Sequence, residues 1–198
     1  MQSALPIQLN AVEDLQGLHR SLTGKIFLAV SATAFVALCA HVSLPLYFTP
    51  VPLTLQTLAV ILVGLTLGPS LGCSAMLLYL AEGAMGMPVF SPHGPGGIAQ
   101  LLGPSAGFLL SFPLAAAAAG GLVRTVRLGG SRFFAALLAG SVATVLLFAM
   151  GAGWMAHLLQ LNPSAAWRLA VAPFLPGEFL KVSAAAGAYT LLRRWHST

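Results

Sequence analysis

Glu178 and Lys181 stand three residues apart inside a long apolar segment near the C-terminus. On a helix that spacing puts both on one face. An ionisable group within a membrane span costs about 2.5–3.5 kcal/mol on insertion scales, and pairing lowers the cost. The pair can line a polar pocket for a small solute, or it can hold one helix contact and do nothing more. Pro176 and Gly177 immediately precede it and loosen a helix at that point, freeing backbone groups for a ligand. Gln56 lies three residues into another apolar run, where its amide can bond a neighbouring helix or read a ligand's amide or ureido group. Glu82 lies near the end of a third run and either reaches the interface or edges a pocket. His93 stands between Pro92 and Pro95, as a solvated loop residue or a ligand contact. Phe90, Phe108, Trp154, Phe174 and Phe179 are belt or packing residues, or else the apolar walls of that pocket. One acid, one base and apolar walls suit a small, partly apolar molecule with a carboxylate at one end and hydrogen-bonding groups at the other.

Other chemistries lack their residues. The remaining histidines, His19, His41, His157 and His196, show no metal-ligand spacing, so no metal is expected. No nucleophile elbow, Walker motif or dinucleotide fingerprint occurs. Gly96-Gly97 follows no strand and does not read as a phosphate cradle. Cys39 and Cys73 lie in apolar runs without a C-x-x-C and read as small packing residues. Any ATP hydrolysis must come from a partner.

The elements that position these residues belong to a membrane protein. Charged residues make up 7% of the 198-residue chain and hydrophobic ones 58%, against about 25% charged in soluble domains. The mean hydropathy is +0.89. A soluble enzyme or a nucleic-acid binder is excluded on this count: the net charge of +5 rests on nine basic residues spread along the chain, without the clustering a phosphate-binding face needs. Lys25 and Glu82 are separated by 56 positions without an Asp, Glu, Lys or Arg, too long for one span of about 20 residues. Pro45, Pro50, Pro52 and Gly68-Pro69 divide it.

The pattern predicts an all-α protein of six transmembrane helices at about Ile26–Val42, Leu53–Leu67, Leu71–Met87, Pro104–Val123, Phe133–Leu158 and Pro173–Leu192. An ordered outer loop, Pro88–Gly103, with three prolines and four glycines in 16 residues, joins helices 3 and 4. The segment Leu159–Ala172 is a more polar connection. LGPSLG at Leu67–Gly72 and LGPSAG at Leu102–Gly107 read as two Gly-Pro helix starts rather than an internal repeat. Residues 1–25 form a cytoplasmic segment, 26–192 the membrane domain and 193–198 a cytoplasmic tail. Glu13 and Asp14 speak against a signal peptide ahead of the first span. Arg20, Lys25, Arg124, Arg127, Arg132, Arg193 and Arg194 fall on one side and Arg168 alone on the other, so both termini are cytoplasmic. Ala29, Thr33 and Ala37 form a stripe of small residues on the first span, for packing inside the bundle or for docking a partner helix.

Three ordered motifs carry a family resemblance: FTPVPLTLQTLAVILVGLTLGPSLG at Phe48–Gly72, GMPVF with GPGGIAQLLGPSAGFLLSFPLA at Gly86–Phe90 and Gly94–Ala115, and LPGEFLK at Leu175–Lys181. They resemble the BioY proteins, biotin-binding S components of energy-coupling-factor (ECF) vitamin transporters. The resemblance covers about Phe48–Ala119 and Pro173–Ala188. It implies a six-helix subunit of the bacterial cytoplasmic (inner) membrane that captures biotin from outside and needs no cofactor. It places Glu178 and Lys181 on the vitamin; many members carry aspartate at the acid position, and glutamate is one methylene longer. It implies an outer lid with Phe90 on the thioether ring and His93, Gly96 and Gly97 around it, and it includes Gln56 in a PLTLQ pattern. It also implies docking on an ECF module, a transmembrane coupling protein with two ATPases, through a small-residue pattern. Here Ala29, Thr33 and Ala37 come nearest to that pattern. The competing readings are an S component for another small vitamin, an intramembrane enzyme using Glu178 and Lys181 as acid and base, and a channel or structural subunit without a saturable ligand.

Overall fold

The computed structural model describes residues 21–126 and 131–195. Arg20, Arg127, His19, His196 and most of the predicted terminal segments lie outside them. The chain is mostly helical. Helix α1 (Leu22–His41) leads into a short antiparallel hairpin, β1 (Ser43–Leu44) with β2 (Leu53–Thr54), and then α2 (Gln56–Leu67) and α3 (Pro69–Ala84). The loop after α3 contains a short helix, α4 (Gly97–Leu102), and ends at α5 (Ala106–Thr125). Then come α6 (Arg132–Leu158), α7 (Pro163–Ala170), one 3₁₀ turn (Ala172–Phe174) and α8 (Leu175–Trp195).

Side-chain capping sets several of these boundaries. Ser21, Ser131 and Asn162 each accept from a backbone N–H three residues on, which starts α1, α6 and α7. Pro69 and Pro163 occupy first turns, where a missing N–H costs nothing. Gly68 divides α2 from α3 in a conformation, φ +87°, that suits only glycine.

Three sequence expectations change. The proline-rich break at Ser43–Pro52 is bounded by a hairpin, with Ser43 opposite Thr54 and Leu44 opposite Leu53, so the second helix starts at Gln56 and not at Leu53. The fold is therefore not purely α-helical. Among the described residues four segments are long and apolar enough to cross a membrane: Leu22–His41, Ala106–Thr125, Arg132–Leu158 and Pro163–Arg194, the last including α7 and most of α8. Helices α2 and α3, with 12 and 16 residues, are shorter than the ~20 residues a full span takes. Finally, Pro176 and Gly177 lie in the first turn of α8 and do not interrupt it. Proline is tolerated there.

Helix α2 is nearly enclosed: Ala59, Val60, Ile61 and Leu65 are buried. Small residues permit that enclosure. A methyl group on Gly64 would collide with the Ala116 backbone of α5, and one on Gly120 would strike Gly64 and the α2–α3 junction. Gly72 of α3 also faces Gly64, its added Cβ falling 3.2 Å from the Gly64 Cα. Backbones thus approach closely without large side chains between them. At one end Arg124 donates to the Leu67 carbonyl at 3.3 Å and Arg132 to the Arg193 carbonyl at 3.1 Å, bringing positive charge to helix C-termini.

Gly64→Ala forces the α2–α5 contact apart. Overpacking of this kind costs about 1–3 kcal/mol, so the unfolding temperature in detergent falls by several degrees. Gly121→Ala, which meets nothing within 4 Å, leaves it unchanged or slightly higher. Thermal unfolding of the two variants checks this.

Candidate functional site

The first turn of α8 presents Glu178, and one turn later comes Lys181. Both are buried, at 5% and 7% exposure. Lys181 Nζ donates to Glu178 Oε1 at 2.5 Å and to Thr57 Oγ1 of α2 at 3.2 Å, while the Thr57 hydroxyl donates to the same Glu178 oxygen at 2.7 Å. The carboxylate also gains from its place at the helix N-terminus, where unpaired backbone N–H groups concentrate positive charge. Its second oxygen, Oε2, is buried with no hydrogen-bond partner.

That trio lines a cavity. Val51, Pro52 and Thr54 come from the hairpin and its approach, Gln56 and Thr57 from α2, Ser91 and Gln100 from the loop and α4. Ser105 lies at the start of α5 and Phe108, Leu109 and Phe112 on it; Thr144, Leu147 and Phe148 come from α6, and Phe174 from the 3₁₀ turn. The walls are chiefly apolar and aromatic, with polar groups at a few points, the usual make-up of a small-molecule site. Ser91 Oγ and Thr144 Oγ1 are, like Glu178 Oε2, buried and without a partner. Leaving such atoms unbonded costs about 1–3 kcal/mol each, more for a charged group. Three of them around one cavity describe a surface built for a polar ligand.

The structure brings together only some of the residues predicted from sequence. Gln56 joins Glu178 and Lys181 in the cavity wall, and its Nε2 also donates to Tyr79 Oη at 2.7 Å. Tyr79 in turn donates to the Val89 carbonyl at 2.7 Å, tying the cavity to the start of the outer loop. Phe108 and Phe174 are wall residues. Phe90, expected on the ligand's ring, is instead buried against Tyr79, ring centroids 5.5 Å apart, in the space left by Gly83. It stands behind the wall. His93 is exposed and outside the lining. Gly96 and Gly97 do not line the cavity either; both have positive φ, and the Gly96 N–H donates to Gln100 Oε1 at 3.1 Å. They act on the site by turning the loop so that Gln100 reaches it. Trp154 ties α6 to the Gly103 carbonyl at 3.0 Å, and Phe179 is 71% exposed on the outer face of α8.

On α1, Ala29 and Thr33 are buried and Ala37 half-buried. The Thr33 hydroxyl donates to Glu82 Oε1 of α3 at 3.1 Å. The small stripe therefore packs inside the chain's own bundle, and Glu82 is taken up in holding α1 to α3. Among the described residues no three His, Cys, Asp or Glu side chains are grouped to hold a metal.

Sequence reasoning missed Thr57, Ser91, Gln100, Phe112, Thr144 and Phe148. Their signal is weak, since hydroxyls and phenylalanines are common in apolar helices. Thr57 alone was reachable: it directly follows Gln56, the last residue of the PLTLQ run.

The pattern of the BioY family matches residues 10–198. Among similar proteins, the biotin transporter BioY of Rhizobium etli is 35% identical over 173 residues, 81% of this chain and 88% of its own. That of Rhodobacter capsulatus is 38% identical over 163 residues, 76% and 83% of the two chains. The fold is similar to the crystal structure of the S-component for biotin from an ECF-type ABC transporter, with a TM-score of 0.79 at 23% identity over 87% of this chain and 92% of that one.

Lys181→Met strands a buried carboxylate, a loss of about 3–5 kcal/mol where one member of a buried pair is removed. Its unfolding temperature in detergent drops by several degrees, and the double variant Glu178→Gln/Lys181→Met recovers at least half of that drop. A double variant no better than the single would show that the two residues do not stabilise each other.

Proposed function

The chain belongs to the BioY family, and on that premise we propose that it captures biotin at the outer face of the bacterial cytoplasmic membrane as the substrate-binding subunit of a vitamin transporter. The observation that carries the reading is the unpaired Glu178 Oε2 in a chiefly apolar cavity. Biotin offers what that oxygen lacks: a ureido N–H donor on a compact bicyclic ring, with an apolar chain for the aromatic walls. Lys181 holds the Glu178 side chain fixed in place and has a third N–H to offer. Gln56 and Gln100 complete the polar contacts. The protein is a transport subunit and not an enzyme; the acid–base pair orients a ligand and is not called on to turn it over.

The same proposal includes the membrane arrangement. Six helices pass through the bilayer, with α2 and α3 reaching full depth together with their flanking loops, and both termini are cytoplasmic. The arginines at the α2, α5, α6 and α8 ends support this orientation. Energy comes from a partner module of the ECF type. That partner meets α1 on the exposed face bearing Ile26, Phe27, Val30 and Leu38, because the Ala29–Thr33–Ala37 stripe is already occupied by the chain's own helices.

Titration calorimetry on ligand-stripped protein in detergent tests the proposal. The expected result is saturable one-to-one binding of biotin, none of thiamine, and loss of biotin binding in Lys181→Ala and in the better-folded Glu178→Gln/Lys181→Met variant. Well-folded wild-type protein that ignores biotin would overturn it.

A further inference from the structure

Thr144 behaves unlike four other hydroxyl residues on α2, α6 and α8. Thr66, Ser141, Ser183 and Thr190 each donate to the carbonyl four residues back, at 2.7–2.8 Å. This is the ordinary way a helical hydroxyl is satisfied in apolar surroundings. Thr144 has the same option on the same helix as Ser141, yet its buried Oγ1 makes no hydrogen bond and lines the cavity.

Its height in the bundle follows from two contacts. Arg132 bonds the Arg193 carbonyl, and a methyl group on Gly140 would touch Val182 at 3.0 Å. Helices α6 and α8 are therefore antiparallel, and one turn beyond Gly140 sets Thr144 level with Glu178. The same Gly140 methyl would meet Ile61 of α2 at 3.2 Å, and one turn before Ile61 is Thr57, which bonds Glu178. Thr57, Thr144 and Glu178 thus form one polar layer. Glu178 Oε2 can only accept. Thr144 can donate.

We propose that Thr144 is a ligand-contacting residue whose hydroxyl donates to the ureido carbonyl of the captured molecule while Glu178 Oε2 accepts one of its N–H groups; this rests on the biotin reading above. A cyclic urea presents donor and acceptor side by side, which matches an acceptor and a donor in one layer. Apolar walls alone would not distinguish it from a hydrocarbon ring of the same size.

Calorimetry with biotin on the full chain in detergent, comparing wild type, Thr144→Val and Thr144→Ser, tests this. Valine keeps the branched shape and removes the hydroxyl; serine keeps the hydroxyl. Thr144→Val is expected to weaken binding about tenfold, equivalent to about 1.4 kcal/mol, with Thr144→Ser within about threefold of wild type at that resolution. The ligand-free unfolding temperature of Thr144→Val stays the same or rises, because an unbonded polar atom has gone. Infrared spectra of bound biotin carrying ¹³C at the ureido carbonyl should show that stretch at higher frequency in Thr144→Val. Wild-type affinity in Thr144→Val, or an unshifted carbonyl, overturns the assignment. Wild-type protein that fails to bind biotin at all overturns the functional reading itself, and this one with it.

Discussion

A carboxylate and an ammonium sit together inside a largely apolar bundle, and the arrangement around them offsets the cost of burying both. Moving either ion alone out of water is costly, and only close mutual contact with further hydrogen bonds offsets it. Three features meet that demand: the i,i+3 spacing of Glu178 and Lys181, the Thr57 hydroxyl that bonds both, and the N-terminal turn of α8 beneath the acid. They satisfy one carboxylate oxygen and leave the other without a partner. A fully satisfied pair would make a stable helix contact and no binding site.

Close helix packing and the open cavity are two consequences of one distribution of side-chain sizes. Where α2, α3 and α5 cross, glycine and alanine let backbones touch, as at Gly64, Gly120 and Ala116. Towards the hairpin and the outer loop, Phe108, Phe112, Phe148 and Phe174 form walls around the remaining space. The loop is fastened at several points: Tyr79 to the Val89 carbonyl, Trp154 to the Gly103 carbonyl, and Gln100 through the Gly96 N–H. Such fastening orders the polar contacts before a ligand arrives, which reduces the entropy cost of binding.

Much of this was legible in the sequence because membrane helices are written in hydropathy and charge. The long apolar runs, the glycine-proline breaks and the basic residues at the run ends located the helices to within a few residues. Glu178 and Lys181 stood out because charge is rare in this chain. The hairpin before α2 was not legible: Leu53 and Thr54 continue an apolar run, and only pairing with Ser43 and Leu44 makes them a strand. The loop residues were placed by type and not by geometry. Phe90 turns towards Gly83 because that glycine leaves room for a ring, and His93 turns to the exposed side. Thr144 was silent because a threonine in an apolar helix usually bonds its own backbone, and only the three-dimensional environment shows that this one does not.

The central claim is that Glu178 Oε2 is a ligand acceptor, and a structure of the biotin-bound protein tests it most directly. The account predicts a ureido nitrogen within about 3.2 Å of that oxygen, with Lys181 and Thr57 still bonded to the other one. Biotin seated elsewhere, or seated in the cavity with Glu178 Oε2 still unpaired, would contradict it.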